Sequence, residues 1–167
     1  TTEVVKNLEQ LAIEQGIASI YKTCDTIEGL EDSLNALLYH DHNFTDYEII
    51  YLVMPGKENS ICLNNYYYSI EEIAEIFEGK MKGKIINFAN AKILDLDAEE
   101  AQYFLDITGA YAVSGYGAKY NKIASCSTID KAFFSLCQEY DDVVEIVEKL
   151  YQKHYALCKL LDFRLYY

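Results

Sequence analysis

The sequence predicts a three-layer α/β/α domain built on a mostly parallel sheet with a small β-hairpin. Three observations carry this. Short apolar runs alternate with amphipathic helical stretches along the chain, and single helices between strands impose right-handed crossovers and parallel pairing. Two runs, 47–54 and 84–89, are apolar at most positions, as strands covered on both faces must be. The 167 residues, 51% of them hydrophobic, suffice for one substantial core but not for two. No repeat, low-complexity tract or linker divides the chain, so residues 1–167 are expected to form a single domain.

In chain order, Val4, Leu8, Leu11 and Ala12 recur at helical spacing, and Gly16 supplies a C-terminal stop. Residues 17–24 follow as an expected strand, with alternation from Ile17 through Tyr21. Ile27, Leu30, Leu34, Leu37 and Leu38 form the stripe of a second helix, capped by Asp25 or Thr26. His40-Asp41-His42-Asn43 is the polar loop before the strand at 47–54, which Pro55-Gly56 ends. Short strands at 60–63 and 66–68 flank Asn64-Asn65, a pair suited to a tight hairpin turn.

Ser69-Ile70-Glu71-Glu72 is a capping box, in which hydroxyl and carboxylate satisfy amides left exposed at a helix start. Ile70, Ile73, Ala74 and Phe77 give that helix its buried face, and Gly79 ends it. The next buried strand, 84–89, runs into Asn90-Ala91-Lys92. Asp97 and Glu100 begin a helix that reaches Thr108 and closes at Gly109. Residues 110–114 are a further strand, leading into Gly115-Tyr116-Gly117. Helices over about 128–139 and 141–158, and a tail at 162–167, complete the chain.

Charge and cysteine usage exclude several function classes. A formal net charge of −13 repels phosphate backbones and anionic lipid, so neither nucleic acid nor membrane is expected as a partner. No apolar run approaches the roughly 18 residues of a membrane span, and no signal peptide is visible. The five cysteines, Cys24, Cys62, Cys126, Cys137 and Cys158, contain no C-x-x-C pair and suit reduced thiols in a cytoplasm. Glu71-Glu72, Glu99-Glu100 and Asp141-Asp142 stand at helix starts, where negative charge meets the helix dipole, and read as caps. Gly115-Tyr116-Gly117 lacks the third glycine of a dinucleotide fingerprint and reads as a turn. Tyr66-Tyr67-Tyr68 and Tyr166-Tyr167 suit either an aromatic contact surface or strands with alternating buried rings. His40-Asp41-His42 has alternate-residue spacing, but a solvated loop is the better reading; neither metal nor cofactor is expected.

The stretches Tyr51-Leu52-Val53-Met54-Pro55-Gly56, 69–75, 79–88, 108–116 and Leu161-Asp162-Phe163-Arg164 together resemble the caspase-like, CHAT-like cysteine peptidases, and most closely a small bacterial family of that architecture. The resemblance covers most of the chain. It implies a strand ahead of the first helix, which a sequence opening Thr1-Thr2-Glu3 without an initiator methionine is expected to lack. It also implies a His-Gly pair before the hairpin and a Cys after the next parallel strand. There the His lowers the energy of the thiolate that attacks a peptide carbonyl. In this sequence the His position is Pro55 and the Cys position is Ala91. Pro has no side-chain donor or acceptor and Ala no nucleophile, so this dyad cannot operate. A Cys-to-Ala exchange alone would suit a trapped variant, but His-to-Pro would not, and natural loss is expected.

No other pair substitutes. His40 and His42 belong at the amino ends of the strands and Cys126 at the opposite rim, about a strand length (~17–20 Å) away. His154, on a stripe with Val143, Val147, Leu150 and Cys158, reads as a half-buried structural residue. The implied function is a catalytically inactive caspase-like domain that binds a protein or peptide or acts in regulation. Its expected cleft, at the carboxyl ends of the strands, is lined by Met54, Pro55, Gly56, Asn87, Asn90, Ala91, Lys92, Ser114 and Tyr116. The alternative is a small-ligand binder or another enzyme on a doubly wound sheet, with Asn87, Asn90 and Lys92 as its polar groups.

Overall fold

The computed structural model describes residues 2–20, 22–41, 44–89, 94–118 and 123–167. Helices α1 (Thr2–Gln15) and α2 (Ile27–His40) precede strand β1 (Ile49–Leu52). Strands β2 (Gly56–Lys57), β3 (Ser60–Leu63) and β4 (Tyr66–Ser69) lead into α3 (Ile70–Ile76). Then come β5 (Ile85–Phe88), α4 (Ala98–Thr108), β6 (Ala112–Tyr116), α5 (Ile123–Glu139), α6 (Val143–Leu161) and β7 (Phe163–Tyr166). The main sheet has the order β1-β5-β6-β7; its first three strands are parallel, and β7 returns antiparallel along β6. Strands β2, β3 and β4 form a separate antiparallel sheet. The expected α/β/α layering with a mostly parallel sheet is present.

Short-range chemistry sets many of the boundaries. The Thr26 hydroxyl accepts from the Gly29 amide at the start of α2. Reciprocal capping boxes, Ser69 with Glu72 and Asp97 with Glu100, start α3 and α4. Asn64 and Asn65, at φ 51° and 62°, make the tight turn between β3 and β4. Strand alternation then feeds two cores. Ile50, Leu52, Ile86, Phe88 and Val113 pack with α2, α3 and α4. Ile49, Tyr51, Ile85, Ala112 and Phe163 pack with α1, α5 and α6.

Several expectations change. Residues 17–20 and 22–24 form no strand. A strand exists only as a member of a ladder, and no backbone hydrogen bond among the described residues joins this segment to β1. The run at 47–54 shortens to Ile49–Leu52 and is an edge, not a central strand; three of its four residues are half-buried, whereas all four of β5 are buried. The hairpin gains a third strand, Gly56–Lys57. Gly115 and Tyr116 continue β6 instead of making a turn, and α5 starts at Ile123 rather than near 128.

The tail is also structured. Asp162 adopts φ 52°, and its amide caps α6 through the Cys158 and Lys159 carbonyls. The chain thereby reverses, and β7 lies along β6 from Phe163 to Tyr166. Arg164 holds the return with ion pairs of 2.6 Å to both Asp95 and Asp162. Among the described residues no helix is long and apolar enough to cross a membrane.

Gly115 marks a close approach of a neighbour to β6. A Cβ there would lie 2.7 Å from Leu94 Cδ2 and 3.1 Å from Leu94 Cβ, and Leu94 is fully buried. Gly115→Ala is therefore expected to destabilise by about 1–3 kcal/mol through overpacking. Thermal unfolding would show a Tm several degrees lower; an unchanged Tm would mean that Leu94 yields without cost.

Candidate functional site

The carboxyl rim of the sheet carries little chemistry. Pro55 follows the end of β1 and is exposed; its carbonyl accepts the Cys62 amide at 2.6 Å, anchoring the small sheet. Gly56 is buried opposite Ile61 in β2, and Met54 packs half-buried against the α2–α4 core. Asn90, Ala91 and Lys92 lie outside the described residues, as does His42. His40 is exposed at the end of α2. No group of three or more His, Cys, Asp or Glu among the described residues could hold a metal ion.

Three of the expected cleft residues do not line a cleft. Asn87, Ser114 and Tyr116 are each fully buried. Register explains why: Tyr51, Asn87 and Ser114 are direct neighbours across β1, β5 and β6, so their side chains share one face, and that face is covered by α5. Asn87 Nδ2 donates to Ser114 Oγ at 2.8 Å, while Asn87 Oδ1 finds no partner. The amide is thus committed inside the core and cannot serve a ligand at the rim.

The same face holds a polar cluster that the sequence reading missed. Asp130 on α5 is buried; Tyr51 Oη donates to its Oδ2 at 2.6 Å, and Tyr116 Oη is hydrogen-bonded to its Oδ1. Tyr116 Oη also lies 3.1 Å from the Cys126 carbonyl. A signal for this was available. Cys126, Ile129, Phe133, Phe134 and Cys137 form the apolar stripe of α5, and Asp130 falls within it. A lone acid in a buried stripe must find donors or hold its proton.

Cys24, Cys126, Cys137 and Cys158 are poor nucleophiles for a common reason, removal from water. Burial and the neighbouring Asp130 push the Cys126 thiol up to about 12. Burial, with a smaller contribution from Glu48, raises Cys137 to about 12, and burial raises Cys158 to about 11. Cys24 is raised by burial and by Asp25. His154 is half-buried where α6 departs from helical backbone (φ −135°, ψ 41°). It precedes Cys158 by one helical turn, yet the Cys158 thiol is raised by burial with no offsetting positive charge.

A different opening lies beside β1. A cavity of about 350 Å³ lies between β1 and residues 17–20 and 22–25. Leu8 and Leu11 of one core line it, and so do Leu30 and Leu34 of the other. The cavity therefore lies in the plane of the sheet, between the two helical layers. Glu48 O accepts from Ile85 N, and Leu52 O from Ala89 N. Ladder groups alternate sides along a strand, so Glu48, Ile50 and Leu52 face β5, and Ile49 and Tyr51 turn theirs to the cavity.

Asp130 makes stability depend on pH. Burial drives its carboxyl up to about 7, against the lowering effect of the two tyrosine donors. When protonated, Asp130 can donate to Tyr116 Oη, which frees the tyrosine proton for the Cys126 carbonyl; ionisation breaks that chain. The unfolded carboxyl titrates near ~3.9. Between about pH 4 and 7 the folded state thus binds the extra proton, and stability falls as pH rises through that window. Asp130→Asn, which keeps one acceptor and one donor, is expected to remove this slope. Urea unfolding of both proteins from pH 4 to 8 checks it; parallel curves would show that another group controls the pH response.

No curated protein matches this sequence. A protein-family model does match over residues 1–167, and its description reads "Family of unknown function (DUF6642)". The chain belongs to the DUF6642 family.

Proposed function

We propose that this domain works by binding a protein or peptide, as a catalytically inactive relative of the caspase-like, CHAT-like peptidases, and performs no peptide hydrolysis itself. The observation that carries the reading is Pro55, exposed after β1 where the resemblance requires an imidazole. The alanine at position 91 removes the sulfur from the other half of the dyad. The raised thiols of Cys24, Cys126, Cys137 and Cys158 support it, because none is poised as a thiolate near neutral pH. What remains is a rigid sheet between two helical layers, a scaffold suited to recognition or regulation. A charge of −13 favours a protein partner over nucleic acid. Five cysteines without a disulfide fit a reducing, cytoplasmic setting.

Two measurements test this. Incubation with mixed peptide substrates is expected to give no cleavage above the uncatalysed rate. Iodoacetamide at pH 7.5 is expected to label Cys126, Cys137 and Cys158 at least tenfold more slowly in the native protein than in urea. Hydrolysis that disappears on alkylation of one fast-reacting cysteine would overturn the reading. Restoring both groups with Pro55→His and Ala91→Cys then asks whether the peptidase geometry survives.

A further inference from the structure

We infer that a polar cavity walled by α1, α5 and α6 binds a small, hydroxylated monocarboxylate. The cavity has a volume of about 440 Å³ and shares no lining residue with the opening beside β1. Such a site is independent of the protein- or peptide-binding role proposed above and goes beyond it.

The wall begins with the spacing of α5. Ser127, Lys131 and Ser135 recur every four residues, so they share one face of the helix, beside the apolar stripe. That face is not simply given to water, because Asn7 of α1 and His154 of α6 complete the wall around it. Ser127 is only 6% exposed. A helical serine ordinarily satisfies its hydroxyl on the carbonyl four residues back, as Ser135 does on Lys131 O at 2.9 Å. Ser127 departs from this: its buried Oγ finds no partner among the described residues. Lys131 is half-buried, and its ammonium forms no ion pair or hydrogen bond among the described residues. Two donors one turn apart on the same wall therefore lack an acceptor, and a carboxylate accepts from both.

His154 marks the same place on α6. It falls one turn after Leu150 and one before Cys158, both buried, yet it is half-buried and lines the cavity where the backbone leaves the helix. Asn7 and His154 each combine donor and acceptor capacity, which suits hydroxyl groups on the body of a ligand. Ala132 is the one aliphatic side chain of the wall, so a fatty tail gains little there. A single ammonium in a chain of charge −13 selects a monoanion over a phosphate dianion. Glu14, the one acid of the wall, is exposed and already accepts from Gln10 at 2.8 Å.

Gluconate is the test probe, followed through amide chemical shifts of the intact protein, with gluconamide and hexanoate as controls. Gluconate is expected to shift the Ser127, Lys131 and His154 amides. It is expected to bind at least tenfold more tightly than either control, since one lacks the charge and the other the hydroxyls. Lys131→Met keeps the aliphatic stem and is expected to weaken gluconate roughly tenfold or more at unchanged Tm, the loss of one charge-assisted hydrogen bond. Ser127→Ala is expected to weaken gluconate about threefold or more without lowering Tm, because the native hydroxyl has no bond to lose. The inference is overturned if gluconate at about 10 mM leaves those amides unmoved, if either control binds as tightly, or if either variant binds gluconate undiminished. Should a variant fail to fold, the comparison of gluconate with gluconamide on the native protein decides alone. None of these readouts involves a peptide, so failure here leaves the role proposed above standing, and peptide cleavage would refute that role without touching this site.

Discussion

Every feature of this domain follows from a parallel sheet buried on both faces. With helices above and below, ladder groups have no water to turn to, so pairing in the plane is the only way to satisfy them. Strand β5 meets that demand fully, between β1 and β6, and all four of its side chains are buried. At the β6 side, β7 supplies the pairing by folding back through the left-handed Asp162, and the Arg164 ion pairs secure the return. At the β1 side no described strand supplies it, and a cavity lies there instead. The two ends of one sheet thus differ in whether the plane is filled.

Polar groups inside the layers obey the same constraint. Lys84 is buried, with its ammonium donating to the carbonyls of Phe44 and Tyr47 and lying 4.2 Å from the Phe44 ring centroid. Burial lowers its pKa, opposed by Glu48 and Asp46. It ties the turn at 44–46 to the start of β5. Asp130 does comparable work across the opposite face, joining α5 to β1 and β6 through two phenols. Both groups span elements far apart in sequence. Both are sensitive to solvent access, because burial in low dielectric magnifies any loss of a partner.

Those long-range ties explain which parts of the site were legible. Pro55 and Ala91 could be read directly, because they are identities and identities need no geometry. The burial of Asn87, Ser114 and Tyr116 could not. Each sits near the end of an apolar run, where exposure at the rim and burial under a helix look the same in one dimension. Only the alignment of Tyr51, Asn87 and Ser114 across three strands put them on the face that α5 covers. Tyr51 itself was passed over because an aromatic residue in a strand normally reads as core packing.

The amino-acid order alone determined the layered architecture, most helix boundaries and the hairpin turn, because these depend on contacts a few residues apart. The capping boxes at Ser69 and Asp97 and the Asn64-Asn65 turn are of this kind. Tertiary structure decided which strands became edges, that the described residues 17–20 and 22–24 formed no strand despite their alternation, and that 163–166 became a strand. A strand is defined by its neighbour, and the neighbours of β1 and β7 are set by how the whole sheet stacks between its helices.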